Sequence, residues 1–247
     1  MKLSFSSILN SSKNKVGICI ASGPSLNTYL ERIITLSNQK RTDFCFFSVN
    51  DIDTWYNLKS DFRIFANSEQ TIQKMFLEFY KSPKTKILFA ESVDLTPRIV
   101  YKFLLLLIDY FPFDQRHFNN MHCQEFSACC NRIVSNNLTI QEKLQKYCNY
   151  PEKYGSGHTV SLHMLSFSIL TGCKEIYIFG VDLNYKLGYS NVSISNSDSF
   201  DPWLDEILSD FEVIYRSALN IGVKIYSCSI DSPLSKIIPF KEFDENS

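Results

Sequence analysis

The chain has 247 residues and a formal net charge of -1, with 25 lysines and arginines against 26 aspartates and glutamates. A chain of this length buries a large core without needing disulfide or metal support. The balanced charge argues against the basic surface of a nucleic-acid-binding protein, so no nucleic-acid partner is expected.

Six short apolar runs predict six β-strands with helical segments between them. They lie at 16–21, 44–49, 62–67, 86–90, 175–180 and 223–228. Alternating strands and helices without an internal repeat predict an α/β fold, a Rossmann-like, doubly wound and mostly parallel sheet. We expect one nucleotide-binding domain at 15–240, between an N-terminal extension at 1–14 and a disordered tail at 241–247.

The first predicted strand runs directly into a loop of small residues, Ser22-Gly23-Pro24-Ser25. Pro24 cannot continue the strand, Gly23 permits close backbone approach, and Ser25 is suited to cap a helix that begins near Asn27. Strand, small-residue loop and helix together are typical of phosphate binding. A tight turn without a ligand explains the loop equally well, because neither G-x-G-x-x-G nor a P-loop lysine is present.

The second and third predicted strands each end near an asparagine, Asn50 and Asn67. We expect both amides at the ligand edge of the sheet, where they could read a base or sugar hydroxyls. Asp51 and Asp53 form the D-x-D spacing by which many sugar transferases hold a divalent cation. A solvated turn with helix-capping acids is the favoured interpretation, so we expect no metal cofactor, with a cation at this pair as the alternative.

The segment 96–150 has a helical and aromatic pattern, which predicts a cap over the ligand edge or another packed layer. It contains His117 and His122, whose spacing of five does not place them on one helix face as a metal pair requires. One of them could still act as a catalytic base if the segment covers the site.

Residues 155–185 predict a loop, a helix, a strand and a second loop. The Gly155-Ser156-Gly157 loop suits an anion, and the apolar residues after it are too dense for a helix buried on one side only. The strand that follows places Gly180 and Asp182 at the carboxyl edge of the sheet, where ligands bind in open α/β sheets. The Ser-, Asn- and Asp-rich segment 186–204 predicts a mobile lid.

The eight cysteines form no C-x-x-C pair and mostly lie within apolar runs. They predict buried free thiols in a reducing cytosol rather than disulfides or a metal centre. The N-terminal apolar run is short and interrupted by serines, too weak for a secretory signal or a membrane span. We therefore expect a cytoplasmic protein with at most peripheral membrane contact.

Taken in order, these motifs resemble the bacterial sialyltransferases of glycosyltransferase family 42, over residues 16–228. The matching blocks are SGPSL at 22–26, Asn50, Asn67, Asp109-Tyr110-Phe111-Pro112, the Ser156-Gly157 loop and KEIYIFGVDL at 174–183. The same outline is similar to the group related to archaeal 6-hydroxymethylpterin diphosphokinase and to flagellin nonulosonic-acid transferases.

The resemblance implies transfer of a sialic-acid-like sugar from a CMP donor to a glycan acceptor, with inversion, in the synthesis of bacterial surface polysaccharide, lipooligosaccharide or glycoprotein. It implies a nucleotide-sugar and a glycan as partners, and the relatives are often homo-oligomers. The donor-nucleotide residues that it implies are Ser22, Gly23, Pro24, Ser25, Asn50, Asn67, Ser156, Gly157, Gly180, Asp182 and Asn184.

The chain departs from the family at positions that bear on catalysis. Ser22 stands where the family has an asparagine, and Asn184 replaces a tyrosine, although Tyr185 and Tyr189 could supply a phenol to the leaving phosphate. The family's general base is a lid histidine, whereas no histidine follows His163 here and the lid offers aspartates. His158, beside the Ser-Gly loop, is the candidate base, with a phosphate contact and a surface or core histidine as equal alternatives.

Two further functions fit the same scaffold. An ATP-dependent pterin diphosphokinase would use Asp51 and Asp53 for Mg²⁺, but the loop at 22–25 carries no lysine or arginine for the phosphates. A catalytically inactive relative would bind a nucleotide or glycan without turnover.

Overall fold

The described part of the chain forms one parallel β-sheet with flanking helices. The computed structural model describes residues 3, 5–9, 11–39, 41–65, 85–90, 109–113, 159–184, 190 and 204–244. The strands are β1 Val16–Ile20, β2 Phe44–Val49, β3 Phe62–Phe65, β4 Lys86–Ala90, β5 Tyr110–Phe113, β6 Glu175–Phe179 and β7 Lys224–Ser227. Their order in the sheet is β5-β4-β3-β2-β1-β6-β7, and all neighbouring pairs are parallel. This confirms the predicted Rossmann-like α/β fold.

Five α-helices and two short 3₁₀ helices accompany the strands in the described residues. The α-helices are α1 Phe5–Ile8, α2 Leu30–Asn38, α3 Ile52–Tyr56, α4 Val160–Leu170 and α5 Leu204–Asn220, and the 3₁₀ helices are Pro24–Thr28 and Pro233–Lys236. None of these helices is both long and apolar enough to cross a bilayer.

Helix α4 is buried on all sides, as the density of its apolar residues predicts. It packs against β1, β2, β3 and α5, and every residue from 161 to 170 is buried. The Thr159 hydroxyl accepts a hydrogen bond from the Ser161 N–H at 3.4 Å, and Gly172 takes a φ of 93° just after the helix. A threonine cap and a left-handed glycine therefore set its two ends.

The fifth strand lies within the segment that was predicted to be helical. Tyr110–Phe113 pairs with β4, with Phe89 opposite Pro112, so the sheet has seven strands rather than the six predicted. Pro112 obscured the pattern because proline normally argues against a strand, and it is tolerated here because β5 is an edge strand. Apart from Asp109, the rest of 96–150 lies outside the described residues.

Residues near both ends of the described chain pack against the sheet. Near the N-terminus, Ile8 belongs to the core, and the Ser12 N–H donates to the Thr171 carbonyl at 2.8 Å. Near the C-terminus, Lys241 donates to the Tyr177 hydroxyl at 2.6 Å, and the Phe243 side chain is only 1% exposed. Lys241 and Phe243 thus pack onto the sheet.

Removing the Phe243 ring tests this packing. The ring lies 5.1 Å from that of Tyr177 and 5.4 Å from that of Phe179 (centroid to centroid), with the Arg32 guanidinium 5.3 Å from its centre. We expect Phe243→Ala to lower the free energy of unfolding by about 3–5 kcal/mol in urea denaturation. Phe240→Ala is the matched control, because that ring is 40% exposed. Equal, small losses in both variants would contradict the packing.

Candidate functional site

The strand order creates a switch point between β1 and β6. The chain proceeds from β1 through β2, β3 and β4 to β5 on one side, then returns to place β6 and β7 on the other side of β1. In open α/β sheets, ligands bind in the crevice at the carboxyl ends of the two strands that flank such a point. Residues 22–25 follow β1 and residues 180–184 follow β6, so the two predicted loops meet here.

The two loops are in direct backbone contact, and we call this contact region the crossing. The Ala21 N–H donates to the Phe179 carbonyl at 2.8 Å, and the Gly23 N–H donates to the Gly180 carbonyl at 2.7 Å. A Cβ on Gly180, which has a φ of 67°, would lie 2.2 Å from the Ala21 carbonyl oxygen, and a Cβ on Gly23 would lie 2.6 Å from that of Gly180. The crossing therefore requires glycine in both loops.

The Asp182 carboxylate joins the two loops by hydrogen bonds. Its Oδ2 accepts the Ser25 N–H at 2.8 Å, and its Oδ1 accepts a short hydrogen bond from the Ser25 hydroxyl. The Ser25 hydroxyl also lies 2.6 Å from the Ser229 hydroxyl, just beyond β7. Because Ser25 gives its single proton to the carboxylate, Ser229 is the donor in the second contact. Asp182 and the loop after β7 thus both hold Ser25.

These contacts correct the expected role of Ser25. The segment after Gly23 is a 3₁₀ helix without a side-chain cap, and α2 begins only at Leu30. Ser25 therefore does not cap a helix, since its hydroxyl is directed to Asp182 instead. The N–H groups of Gly23 and Ser25 donate within the protein, to the Gly180 carbonyl and to the Asp182 carboxylate.

The loop after β7 also contacts the crossing. None of its residues was predicted to belong to the site. The Ser232 hydroxyl donates to the Val181 carbonyl at 2.7 Å and accepts the Leu234 N–H at 3.2 Å, which caps the second 3₁₀ helix. Ser229 contacts Ser25 as described above. The sequence signal for this loop is its run of serines at 227, 229, 232 and 235. That run does not reveal the contacts, because Ser229 binds Ser25 and Ser232 binds Val181, both far away in the sequence.

The remaining predicted residues at the crossing lie at its rim. Ser22 and Pro24 are half-buried, and Asn184 is exposed. Leu183 adopts a φ of 51°, an uncommon conformation for a leucine, directly before Asn184. The Ser22 carbonyl accepts the Ser190 N–H at 2.8 Å, so one residue of the predicted lid segment contacts the first loop.

Asn50 lies at the carboxyl end of β2 and is fixed by the neighbouring strand. Its φ is 50°, its N–H donates to the Ile64 carbonyl at 3.0 Å, and its carbonyl accepts a short hydrogen bond from Arg63 Nε. Arg63 is not among the site residues predicted from the sequence, where an arginine within an apolar strand gives no local sign of burial. Its side chain is instead fully buried.

Asp51 and Asp53 have different partners. Oδ1 of Asp51 lies 3.5 Å from Arg63 Nη2, whereas Oδ1 of the buried Asp53 accepts the Ser60 hydroxyl at 2.8 Å. Asp51 occupies the N-cap position of α3 without a side-chain cap bond. Among the described residues, no cluster of three or more His, Cys, Asp or Glu side chains is arranged to hold a metal ion.

The cysteines in the described part of the chain are free and buried. They are Cys19, Cys45, Cys173 and Cys228. Cys228 directly follows β7, and its burial raises the pKa of the thiol to about 12. This thiol is therefore protonated at neutral pH and is a poor nucleophile.

Several predicted site residues lie outside the described residues. These are Asn67, Ser156, Gly157, His158, Tyr185 and Tyr189, together with the lid segment 186–204 apart from Ser190 and Leu204. Their roles stay predictions.

Comparison with solved structures finds two sialyltransferases from Campylobacter jejuni. The monofunctional α-2,3-sialyltransferase Cst-I is 14% identical, with 93% of this chain and 83% of that chain covered and a TM-score of 0.48. An α-2,3-sialyltransferase in apo form is 16% identical, with 93% and 80% covered and a TM-score of 0.45. No protein-family model matches the chain, and no curated protein matches it.

Adding a methyl group at Gly180 tests the crossing of the two loops. We expect Gly180→Ala to lower the free energy of unfolding by more than about 2 kcal/mol, because the new Cβ collides with backbone that cannot easily move. Gly222→Ala is the control, since Gly222 is exposed and shares a positive φ of 81°. Its expected cost is about 1 kcal/mol, from the left-handed conformation alone. Equal losses in the two variants would refute the steric argument.

Neutralising Asp182 tests the hydrogen bonds across the crossing. Asp182→Asn keeps the shape but loses a charged acceptor, so we expect a loss of about 1.5–3 kcal/mol in urea denaturation. In a Ser25→Ala background the loss should shrink by about 1 kcal/mol, since the two side chains share one bond. Asp231→Asn, at an exposed position after β7, is the control. Strict additivity of the Asp182 and Ser25 losses would contradict their coupling.

Proposed function

We propose that this chain is an inverting glycosyltransferase that transfers a sialic-acid-like sugar from a CMP donor to a glycan acceptor. The observation that carries the proposal is the contact between the two blocks on which the family resemblance mainly depends. Ser25 and Asp182 are 157 positions apart in the sequence, yet they are hydrogen-bonded at the switch point of the sheet. Motifs that meet at the usual ligand crevice favour a shared role in ligand binding.

The donor nucleotide would occupy the rim of the crossing. The crossing itself is filled by its own hydrogen bonds, so recognition falls to the half-buried Ser22 and Pro24, to the exposed Asn184 and to Asn50 at the end of β2. Amide and hydroxyl groups suit a cytosine base and ribose, because they both donate and accept hydrogen bonds. Asn67, Ser156 and Gly157 are proposed as further donor contacts through the family resemblance.

The proposed reaction is a single displacement at the anomeric carbon. The acceptor oxygen forms a bond to this carbon while the bond to the CMP phosphate oxygen breaks, and the bonding pair leaves with CMP. The acceptor hydroxyl proton passes to a general base, and the departing phosphate needs hydrogen-bond donors. We propose His158 as the base and the Tyr185 and Tyr189 phenols as the donors to the phosphate.

The ATP-dependent alternative has less support from the described residues. Pyrophosphoryl transfer needs acids free to hold Mg²⁺ and cations for the phosphates. Asp51 lies beside the Arg63 guanidinium, Asp53 is buried against Ser60, and the loop at 22–25 contains no lysine or arginine. We therefore propose a metal-independent enzyme of the bacterial cytoplasm that acts on glycans destined for surface polysaccharide, lipooligosaccharide or glycoprotein.

Nucleotide binding gives the most direct test. The purified protein is heated with CMP, CDP, UDP, GDP or ATP, each with and without Mg²⁺ or Mn²⁺. We expect CMP to raise the melting temperature regardless of metal, because a ligand at a hundred times its Kd adds about 2.7 kcal/mol to the folded state. A rise that occurs only with ATP, UDP or GDP and requires metal would contradict the CMP-sugar proposal.

A matched pair of asparagines locates the donor site. Asn50 and Asn57 both have positive φ values, 50° and 53°, but Asn57 is exposed at the end of α3. Asn50→Ala should reduce the CMP-induced rise without removing it, because other donor contacts remain, whereas Asn57→Ala should preserve the full rise. Release of CMP from CMP-N-acetylneuraminate then separates an active transferase from a relative that binds without turnover.

A further inference from the structure

A buried arginine stands next to the proposed donor site. Arg63, in the interior of β3, is fully buried, although arginine is rarely buried without partners. Burying a guanidinium is costly unless its N–H groups find acceptors and its charge finds compensation. Strand β3 is separated from the switch-point strand β1 only by β2. The desolvation cost of burying Arg63 so near the switch point indicates a specific role.

The partners of Arg63 are concentrated in one turn. Its Nε donates to the Asn50 carbonyl, its Nη2 donates to the Thr54 hydroxyl at 3.3 Å, and the same Nη2 lies 3.5 Å from Asp51 Oδ1. Its Cζ lies 4.9 Å from the centre of the Phe65 ring. Three of these four partners belong to the turn and helix that follow β2, so one guanidinium holds this turn against β3.

The most constrained residue in this turn is Asn50. The left-handed conformation is unfavourable for residues with a side chain, and asparagine is among the few that tolerate it. Consecutive residues of β3 hold both of its backbone groups, because Ile64 accepts its N–H at 3.0 Å and Arg63 donates to its carbonyl. The backbone of Asn50 is thereby locked in a single conformation.

We infer that Arg63 is a positioning residue for the donor site, which fixes Asn50 in the conformation that binds CMP. The inference rests on the proposed function and deepens it. Arg63 does not touch the nucleotide, because it is fully buried, and it acts only through Asn50. Arginine is required because Nε and Nη2 reach two different acceptors in a fixed fork, which a lysine ammonium cannot reproduce.

The first arm of the test measures CMP affinity by isothermal titration calorimetry. We expect Arg63→Lys, which keeps the charge, to weaken CMP binding about tenfold, equivalent to about 1.4 kcal/mol. Arg32→Lys is the matched control, because Arg32 also donates to a main-chain carbonyl, that of Phe243 at 2.8 Å, and also stacks on a phenyl ring. It should bind CMP within about twofold of the wild type, which is below the size of a typical hydrogen-bond effect.

The second arm separates positioning from a general structural role. In an Asn50→Ala background, Arg63→Lys should cause no further loss of CMP affinity, because the residue it positions has been removed. Thr54→Val provides a milder variant in case Arg63→Lys fails to fold, and it should weaken CMP binding about threefold and only when Asn50 is present. Circular dichroism verifies the fold of each variant.

Each outcome decides one of the two proposals. Loss of affinity that depends on Asn50 supports the positioning role. Two outcomes overturn the role of Arg63 and leave the proposed function intact, provided that the wild type binds CMP. In the first, Arg63→Lys binds CMP as tightly as the wild type. In the second, Arg63→Lys weakens CMP binding by the same factor in the Asn50→Ala background. Failure of the wild type to bind CMP overturns the proposed function and the inference together.

Discussion

The carboxyl edge of the sheet depends on one charge-assisted interaction, the acceptance of the Ser25 N–H and hydroxyl by the Asp182 carboxylate. This contact joins the loops after β1 and β6, which are adjacent in the sheet but distant in the sequence. A hydrogen bond to a charged group is stronger than a neutral one, and here two of them converge on a single residue. The close crossing at Gly23 and Gly180 follows, because no side chain fits between the two backbones.

A second device fixes the same edge on the other side of β1. There the buried Arg63 holds the turn that begins at Asn50. The charged group is a guanidinium cation here, whereas at the crossing it is the Asp182 carboxylate. In both places a charged side chain binds the backbone of a loop residue. Asp182 accepts the Ser25 N–H beside Gly180, and Arg63 donates to the carbonyl of Asn50. Gly180 and Asn50 both have a positive φ. Strained backbone persists only where surrounding contacts determine it, and such positions concentrate at functional sites.

These contacts bear on how a ligand would be recognised. The N–H groups of Gly23 and Ser25 serve the crossing of the loops. The hydrogen-bonded crossing holds the loops that carry the residues at its rim, and it thereby positions those residues. The proposed transferase would thus bind its donor on a preorganised surface, with Asn50 and Asn184 at its rim.

The sequence by itself determined the fold class and most of the strands, because apolar runs bounded by turn residues are local signals. It also indicated the two glycine loops and their edge of the sheet. It missed β5, where Pro112 disguised an edge strand. Only the tertiary structure decided that Ser25 binds Asp182 instead of capping a helix, and that Arg63 holds Asn50. These contacts join residues on different strands, and no local pattern specifies which polar side chains will meet when a sheet assembles.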